Sequence, residues 1–163
     1  MKADALSPDV FQDIMVLETD ASRGWWMALG NYAPSYEGIV FGGNDAWAKL
    51  DTGPGILSTI TDGSWHNIIV TYNGAGATVD ANFALYLDGV SQTLSACGNL
   101  PTPAGSYFGG RVGYPNGVKD LHGSLDELVV FDEELSTAWI RFLAAGNLLT
   151  DWPLPSGTVI ILR

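Results

Sequence analysis

The hydrophobic residues of this chain occur in short runs with the character of strands, and the clearest run extends from Trp65 to Tyr72 (WHNIIVTY). It predicts a buried strand rather than a helix, with Trp65 in the core, where truncation would cost about 3–5 kcal/mol. A second run follows at 83–87 (FALYL), and Asp88-Gly89 separates it from Val90. Asp-Gly between strand-like runs is typical of a two-residue hairpin, because that turn needs positive φ at its centre. The chain is therefore predicted to reverse direction there.

The same strand pattern recurs along the rest of the chain, between loops rich in glycine, proline, asparagine and aspartate. Further strands are predicted at 13–17, 25–29, 38–41, 48–50, 91–94, 107–114 and 125–131. Twenty glycines and eight prolines against 15% charged residues are typical of an all-β chain with many turns. One short helix is predicted at 137–145, where Ser136 can act as N-cap and Gly146 can end the helix.

Three motifs occur in a characteristic order over residues 62–143, about half of the chain. They read DGSWHNIIVTYNG, LYLDGV and GSLDELVVFDEELSTAWIRFL. In this order they resemble the LamG-type, pentraxin-related family of concanavalin A-like proteins. The resemblance implies an antiparallel jelly-roll β-sandwich with one short helix near the C-terminus. It implies less about function, because the motifs consist mainly of core and turn residues and one fold can carry many activities.

Composition narrows the range of partners and cofactors. A chain of 163 residues that is 47% hydrophobic suffices for one domain with a full core. The single cysteine, Cys97, excludes an internal disulfide, and two histidines argue against a zinc cluster. Eighteen acidic against seven basic residues give a net charge of −11, which would repel a phosphate backbone. Nucleic acid is therefore not expected as a partner.

Both ends of the chain depart from the pattern of the resembled family. That family usually places two strands before the segment 13–31, and here only about a dozen residues precede it. A sheet that lacks a strand exposes unpaired backbone groups, which native proteins cover or pair. We expect a sandwich at 1–150 and a tail at 151–163. The tail's TVIIL run (158–162) or a strand from another chain would fill the gap, and the second alternative would make the protein obligately associated with that chain.

The N-terminal sequence MKADALSPDVFQD contains no apolar signal segment, and no window reaches the length of a membrane span. Membrane insertion and secretion by the ordinary route are therefore not expected. Since domains that resemble this family normally work outside the cell, release within a virus particle is one explanation. A module cut from a larger secreted protein is the other.

Catalysis is not expected. A retaining glycosidase needs two carboxylates about 5 Å apart, and the related hydrolases carry them in an ExDxxE pattern. Asp126 and Glu127 are adjacent and would point to opposite faces of a strand. His66 has no serine or cysteine partner in a recognisable motif, and the family's second histidine is Asn67 here.

The loops favour glycan binding, which needs an exposed flat aromatic ring beside amide or carboxylate groups. The candidates for glycan or partner contact are Trp25, Tyr32, Tyr36, Trp47, Tyr114, Trp139 and Trp152. Packing in a core or an interface is the alternative role for each of them, and strand alternation must bury one of Trp25 and Trp26. No cofactor is required. Calcium, which many relatives hold at the rim of the sandwich, has Asp45 and Asp126 as candidate ligands by acidity and location.

These features predict a non-catalytic surface attachment module, namely a structural protein of a phage particle, with weak glycan binding. Capsid decoration or a place in the tail or fibre would put it on the virion surface, as a homo-oligomer or bound to a capsid or tail protein. The alternative is a calcium-dependent, lectin-like carbohydrate-binding module of a secreted or cell-surface protein.

Overall fold

The computed structural model of this chain describes residues 1–4, 6, 10–19, 23–32, 36–43, 49–73, 80–97, 107–113, 121–131, 134–147 and 160–162. The strands are β1 (Lys2–Ala3), β2 (Val10–Thr19), β3 (Arg23–Tyr32), β4 (Tyr36–Gly43), β5 (Lys49–Asp51), β6 (Ile68–Tyr72), β7 (Phe83–Leu87), β8 (Val90–Gln92), β9 (Ser95–Cys97), β10 (Tyr107–Val112), β11 (Gly123–Ser124), β12 (Leu128–Val130) and β13 (Ile160–Leu162). The helices are α1 (Leu57–Ile60) and α2 (Thr137–Ala144), and 3-10 turns lie at Pro54–Ile56 and Asp80–Asn82.

The larger sheet has six antiparallel strands in the order β10-β2-β3-β4-β5-β9. Its centre is formed by β2, β3 and β4, which extend beyond the predicted segments at 13–17, 25–29 and 38–41. Two register shifts interrupt β2, between Asp13 and Met15 and between Val16 and Glu18. These irregularities bend the strand locally and increase its twist.

The smaller sheet has three antiparallel strands in the order β6-β7-β8. The predicted hairpin joins β7 to β8, with Asp88 at φ 50° and Gly89 at φ 76° and Leu87 opposite Val90. Two further antiparallel pairs accompany the sheets. β1 pairs with β11, and β13 pairs with β12 of the same chain, with Leu128 opposite Leu162.

The buried hydrophobic side chains of the described residues form three groups. The main core lies between the sheets and joins Ile14, Met27, Leu29 and Ile39 of the larger sheet to Leu85 and Leu87 of the smaller sheet, with Ala3 and Ile60 beside them. The second group packs α2 on the other face of the smaller sheet and consists of Ile69, Leu135, Trp139 and Ile140. The third lies on the opposite face of the larger sheet and consists of Val16, Trp26, Ala28 and Val40. The predicted all-β antiparallel sandwich with a short helix near the C-terminus is confirmed.

The predicted strand at 65–72 is too long, and the core position of Trp65 is wrong. The strand begins only at Ile68, and 55% of the Trp65 surface is exposed. The reason lies at His66, whose N–H donates to the Met1 carbonyl oxygen at 2.7 Å and whose carbonyl accepts from the Met1 nitrogen at 2.6 Å. This pairing fixes His66 with its ring buried. The ring of the neighbouring Trp65, which lies before the first residue of β6, faces solvent.

The predicted strand at 125–131 is also interrupted. Glu127 adopts φ 51°, a left-handed conformation that regular strands do not contain. Consequently only Leu128–Val130 forms β12, and the predicted alternation of faces does not continue from Leu125. The predicted return strand at 91–94 is too long, because β8 ends at Gln92 and the next strand, β9, begins only at Ser95.

The helical parts of the chain are short. Ser136 caps α2 as predicted, because its side chain accepts a hydrogen bond from the Trp139 N–H at 3.3 Å. Gly146 follows the helix with φ 79°, the conformation expected just after a helix end. The single turn α1 was not predicted from its Thr-Gly-Pro-Gly surroundings. Within the described residues, neither helix has the length and apolar character that a membrane span requires.

Candidate functional site

A cleft of about 660 Å³ separates β6 from β12. Residues 67–73 form one wall and residues 126–131 form the other, so we call it the β6–β12 cleft. Among the described strands, β6 is the terminal strand of its sheet and is hydrogen-bonded there to β7. The edge of β6 that faces the cleft therefore presents backbone donors and acceptors to whatever enters it.

One end of the β6–β12 cleft is lined by four aromatic rings that come from both sheets. Trp25 and Phe41 of the larger sheet are stacked with ring centroids 5.3 Å apart. Phe83 of the smaller sheet lies 4.6 Å from Phe41 and 4.8 Å from Tyr72. These separations are within the favourable range for aromatic pairs, which stabilises the group without a ligand. Tyr72 is 43% exposed, so its ring is open to a ligand.

Polar side chains line the remainder of the β6–β12 cleft. Three are carboxylates, Asp126, Glu127 and Glu134, and all three residues are exposed. Three are amides: Asn67, Asn73 and Asn147. The Asn67 side-chain oxygen is buried and has no hydrogen-bond partner among the described residues. A buried acceptor without a donor costs about 1–3 kcal/mol, so a donor from a ligand would stabilise this wall after a rotation of the amide.

A second polar group, the His66 cluster, lies where the hairpin turn meets the segment before β6. His66 Nδ1 is 2.8 Å from Asp88 Oδ2, and its Nε2 is 3.1 Å from Asp62 Oδ1. Asp88 Oδ1 also accepts from the Asn67 N–H at 2.8 Å, and Asp62 accepts from the Ser64 N–H at 2.6 Å. The cluster thus connects the turn to the residue that lines the cleft.

The electrostatics of the His66 cluster favour a charged imidazole. Burial lowers the pKa of His66, but the hydrogen bonds and charges of Asp88 and Asp62 outweigh this effect, so the pKa is raised above its usual value. The Ser64 backbone N–H, and then His66, lower the pKa of Asp62. Only the imidazolium can donate from both nitrogens, which is what two facing carboxylates require.

A family model of the concanavalin A-like lectin/glucanases superfamily matches residues 2–141 of the chain. The chain belongs to this superfamily. The match contains both sheets and the first half of α2, so the resemblance seen in three motifs is confirmed over most of the sequence. Membership of the superfamily suggests a carbohydrate-binding module as the general function. No curated protein and no solved structure matches the chain.

The fold places two of the residues that were predicted as ligand contacts in the same cleft. Trp25, predicted for glycan or partner contact, and Asp126, predicted for calcium, both line the β6–β12 cleft. Trp26, the neighbour of Trp25, is the one that alternation buries. Its indole lies against Gly42 so closely that a Cβ there would clash.

The remaining predicted residues are not among the described residues that line the cleft. Trp139 is only 8% exposed and packs with Leu135 and Ile140 beneath α2, so its ring is a core group and offers little surface to a glycan. Tyr32 and Tyr36 are paired at the β3–β4 turn, where the structure describes their backbone alone. Trp47, Tyr114, Trp152 and Asp45 lie outside the described residues. In the described part of the chain, no group of three or more His, Cys, Asp or Glu residues could hold a metal ion.

Sequence reasoning missed Tyr72, Phe83, Asn67 and Asn73 as components of a site. Tyr72 and Phe83 were visible only as the ends of two predicted strands. A usable signal was present, because Tyr72 closes one strand and Phe83 opens the next, so an antiparallel pairing places the two rings opposite each other, as the structure does.

Proposed function

We propose that this chain is a non-catalytic carbohydrate-binding module that attaches its carrier to a glycan-bearing surface, with the β6–β12 cleft as its ligand site. The observation that carries the proposal is the composition of the cleft. An aromatic group with an exposed Tyr72 stands beside three amides and three carboxylates. Sugar rings present apolar faces and hydroxyl rims, and such a lining matches both.

The size of the cleft supports the proposal. Its volume of about 660 Å³ lies within the roughly 300–1,000 Å³ that is typical of small-molecule sites. The free edge of β6 adds backbone groups that can exchange hydrogen bonds with hydroxyls. A single site of this kind is expected to bind a short oligosaccharide in the millimolar range, about 4 kcal/mol, so several copies on one carrier would be needed for firm attachment.

The first experiment is a glycan panel, followed by titration of the best ligand into the wild type and into Tyr72→Ala, Tyr72→Phe and Trp65→Ala. Tyr72→Ala is expected to weaken binding by about tenfold, since it removes a stacking ring. Tyr72→Phe keeps the ring and should retain most of the affinity. Trp65→Ala is the matched control, because Trp65 is exposed and is not among the described residues that line the cleft.

Two outcomes would contradict this assignment of the site. If Trp65→Ala abolished binding while Tyr72→Ala did not, the ligand would bind at the rim instead of in the cleft. If incubation released reducing ends from the bound oligosaccharide, and Glu127→Gln or Asp126→Asn prevented this, the protein would be a hydrolase. Urea unfolding of each variant would show whether the fold is retained.

Assembly on a phage particle, as a capsid decoration or a tail component, is the second candidate. It is favoured by the edge of the larger sheet, since β10 is terminal among the strands that the structure describes and 51% of the Val112 surface is exposed. Light scattering of the full chain and of a chain truncated before Trp152 tests it. A dimer or trimer that dissociates on truncation would support assembly through the tail. A monomer that loses stability on truncation would support closure of β12 by its own β13 and would oppose this candidate.

A further inference from the structure

We propose that the β6–β12 cleft selects glycans that carry a positive charge, which means amino sugars with free amines. This inference rests on the proposed function, because it names the class of glycan that the same cleft would take. Two independent features of the lining carry it: the sign of its charged side chains and the presence of the aromatic group.

The charged side chains of the cleft all have the same sign. Asp126, Glu127 and Glu134 are acidic, and the described lining residues include no lysine, arginine or histidine. The whole chain adds to the same field with its net charge of −11. A uronic acid or a sulfated sugar would be repelled by this arrangement, whereas an ammonium group would be attracted, and more strongly where the walls exclude water.

The aromatic group favours the same ligand. The face of an aromatic ring carries negative electrostatic potential, so it attracts a cation in addition to stacking on a sugar ring. Trp25 and Tyr72 supply such faces at one end of the cleft, and the carboxylates lie along the β12 wall and beyond it. An amino sugar combines a flat apolar face with an ammonium group, so it can use both features at once.

Glu134 is the most informative of the three carboxylates to change. Asp126 also attracts the Met1 amino group, so its substitution would disturb a second interaction. Glu127 has φ 51°, and a substitution there would alter the backbone as well as the charge. Asp4 provides a matched control, because it is exposed, carries the same charge and is not a described lining residue.

The experiment titrates three oligosaccharides of equal length: one of glucosamine, one of N-acetylglucosamine and one of galacturonic acid. Mildly acidic buffer keeps the glucosamine amines protonated. The glucosamine oligomer is expected to bind about tenfold more tightly than the N-acetylated one, and the galacturonic acid oligomer should not bind. Added salt should reduce the difference. Glu134→Gln should weaken glucosamine binding several-fold and leave N-acetylglucosamine binding unchanged, and Asp4→Asn should change neither.

The results separate failure of this inference from failure of the proposed function. If both neutral and cationic oligomers bound equally and Tyr72→Ala weakened both, the cleft would bind glycans but the charge selection would be wrong. The same holds if the glycan panel gave ligands and none of the three oligomers bound. If Asp4→Asn weakened binding as much as Glu134→Gln, the attraction would belong to the whole acidic surface, and the inference would fail. If neither the panel nor the three oligomers gave binding, the proposed function would fail too.

Discussion

His66 shows how one side chain can connect separate segments of this sandwich. Its ring nitrogens contact Asp88 of the hairpin turn and Asp62 of the preceding loop, and its backbone pairs with Met1. In the linear pattern it looked like an ordinary strand position. The two carboxylates make it instead a group whose charge contributes to the stability of the fold.

The stability of the protein should therefore depend on pH in a defined direction. Since the pKa of His66 is raised in the folded state, its contribution is complete below its usual value of 6.5 and is lost as pH rises through the raised folded pKa. The pKa of Asp62 is lowered, so its contribution is complete above 3.8 and is lost as pH falls through the lowered pKa. Both contributions are therefore complete between these two values.

Urea unfolding across this range measures the effect. The free energy of unfolding of the wild type should fall as pH rises past 6.5, and His66→Gln should remove most of that fall. His122→Gln is the control, since His122 is exposed and its backbone makes two hydrogen bonds: its N–H donates to Gln12 and its carbonyl oxygen accepts from the Asp4 N–H. An equal fall in wild type and His66→Gln would show that another group titrates there.

Two tryptophans test the difference between predicted and observed burial. Trp139→Ala should lower the free energy of unfolding by about 3–5 kcal/mol, because Trp139 packs in the second group of buried side chains. Trp65→Ala should cost less than about 1 kcal/mol, since more than half of its surface is exposed. Denaturant unfolding at one pH compares them. A large loss for Trp65→Ala would mean that its ring is covered in solution.

At the scale of elements, the hairpin turn at Asp88-Gly89 packs closely against helix α2. A Cβ at Gly89 would lie 2.8 Å from the Ala144 Cβ, and both atoms are held by rigid backbone. The turn, the helix and the smaller sheet therefore form one packed unit. At the N-terminal end of α2, the Ser136 cap and the second group of buried side chains stabilise the same unit.

Two glycine substitutions separate backbone strain from this close approach. Gly146→Ala should cost about 1 kcal/mol, because Gly146 has φ 79° and nothing lies within 4 Å of the added Cβ. Gly89→Ala has a similar φ of 76° and should cost about 1–3 kcal/mol more, because the helix must move. Thermal or urea unfolding gives the difference. Equal losses in the free energy of unfolding for the two variants would show that the turn and α2 are not in close contact.

At the scale of the whole molecule, calcium binding remains a prediction. Among the described residues, no group of three or more His, Cys, Asp or Glu residues could hold a metal ion, and calcium needs six to eight oxygen ligands. We expect that a chelator leaves the melting temperature unchanged, measured by differential scanning fluorimetry with and without added calcium. A fall of several degrees that calcium restores would instead support the calcium-dependent lectin alternative, with Asp45 and Asp126 as the first ligands to substitute.

The sequence predicted this fold better than it predicted the site. The strand at Phe83–Leu87, the Asp88-Gly89 turn and the Ser136 cap are in place as predicted. The strand through Trp65 and the unbroken strand through Glu127 were wrong. The correctly predicted features are determined by residues that lie within a few positions of each other in the sequence. The error at Trp65 depends instead on contacts of its neighbour His66 with Met1 and Asp88, which are distant in the chain.

The sequence by itself determined the sandwich class, the hairpin, the capped helix and the strong negative charge. The sandwich class follows from the resemblance of three motifs to a known family. The all-β pattern, the hairpin, the helix cap and the charge follow from backbone sterics, from the alternation of side chains along a strand and from composition, none of which needs a distant partner. Only the tertiary structure decided that Trp25 and Tyr72 meet at one end of a cleft, that Asp126 and Glu134 line it, and that His66 is buried while Trp65 is exposed. The reason is that a site is made by contacts between segments from both sheets, and register and sheet order set those contacts.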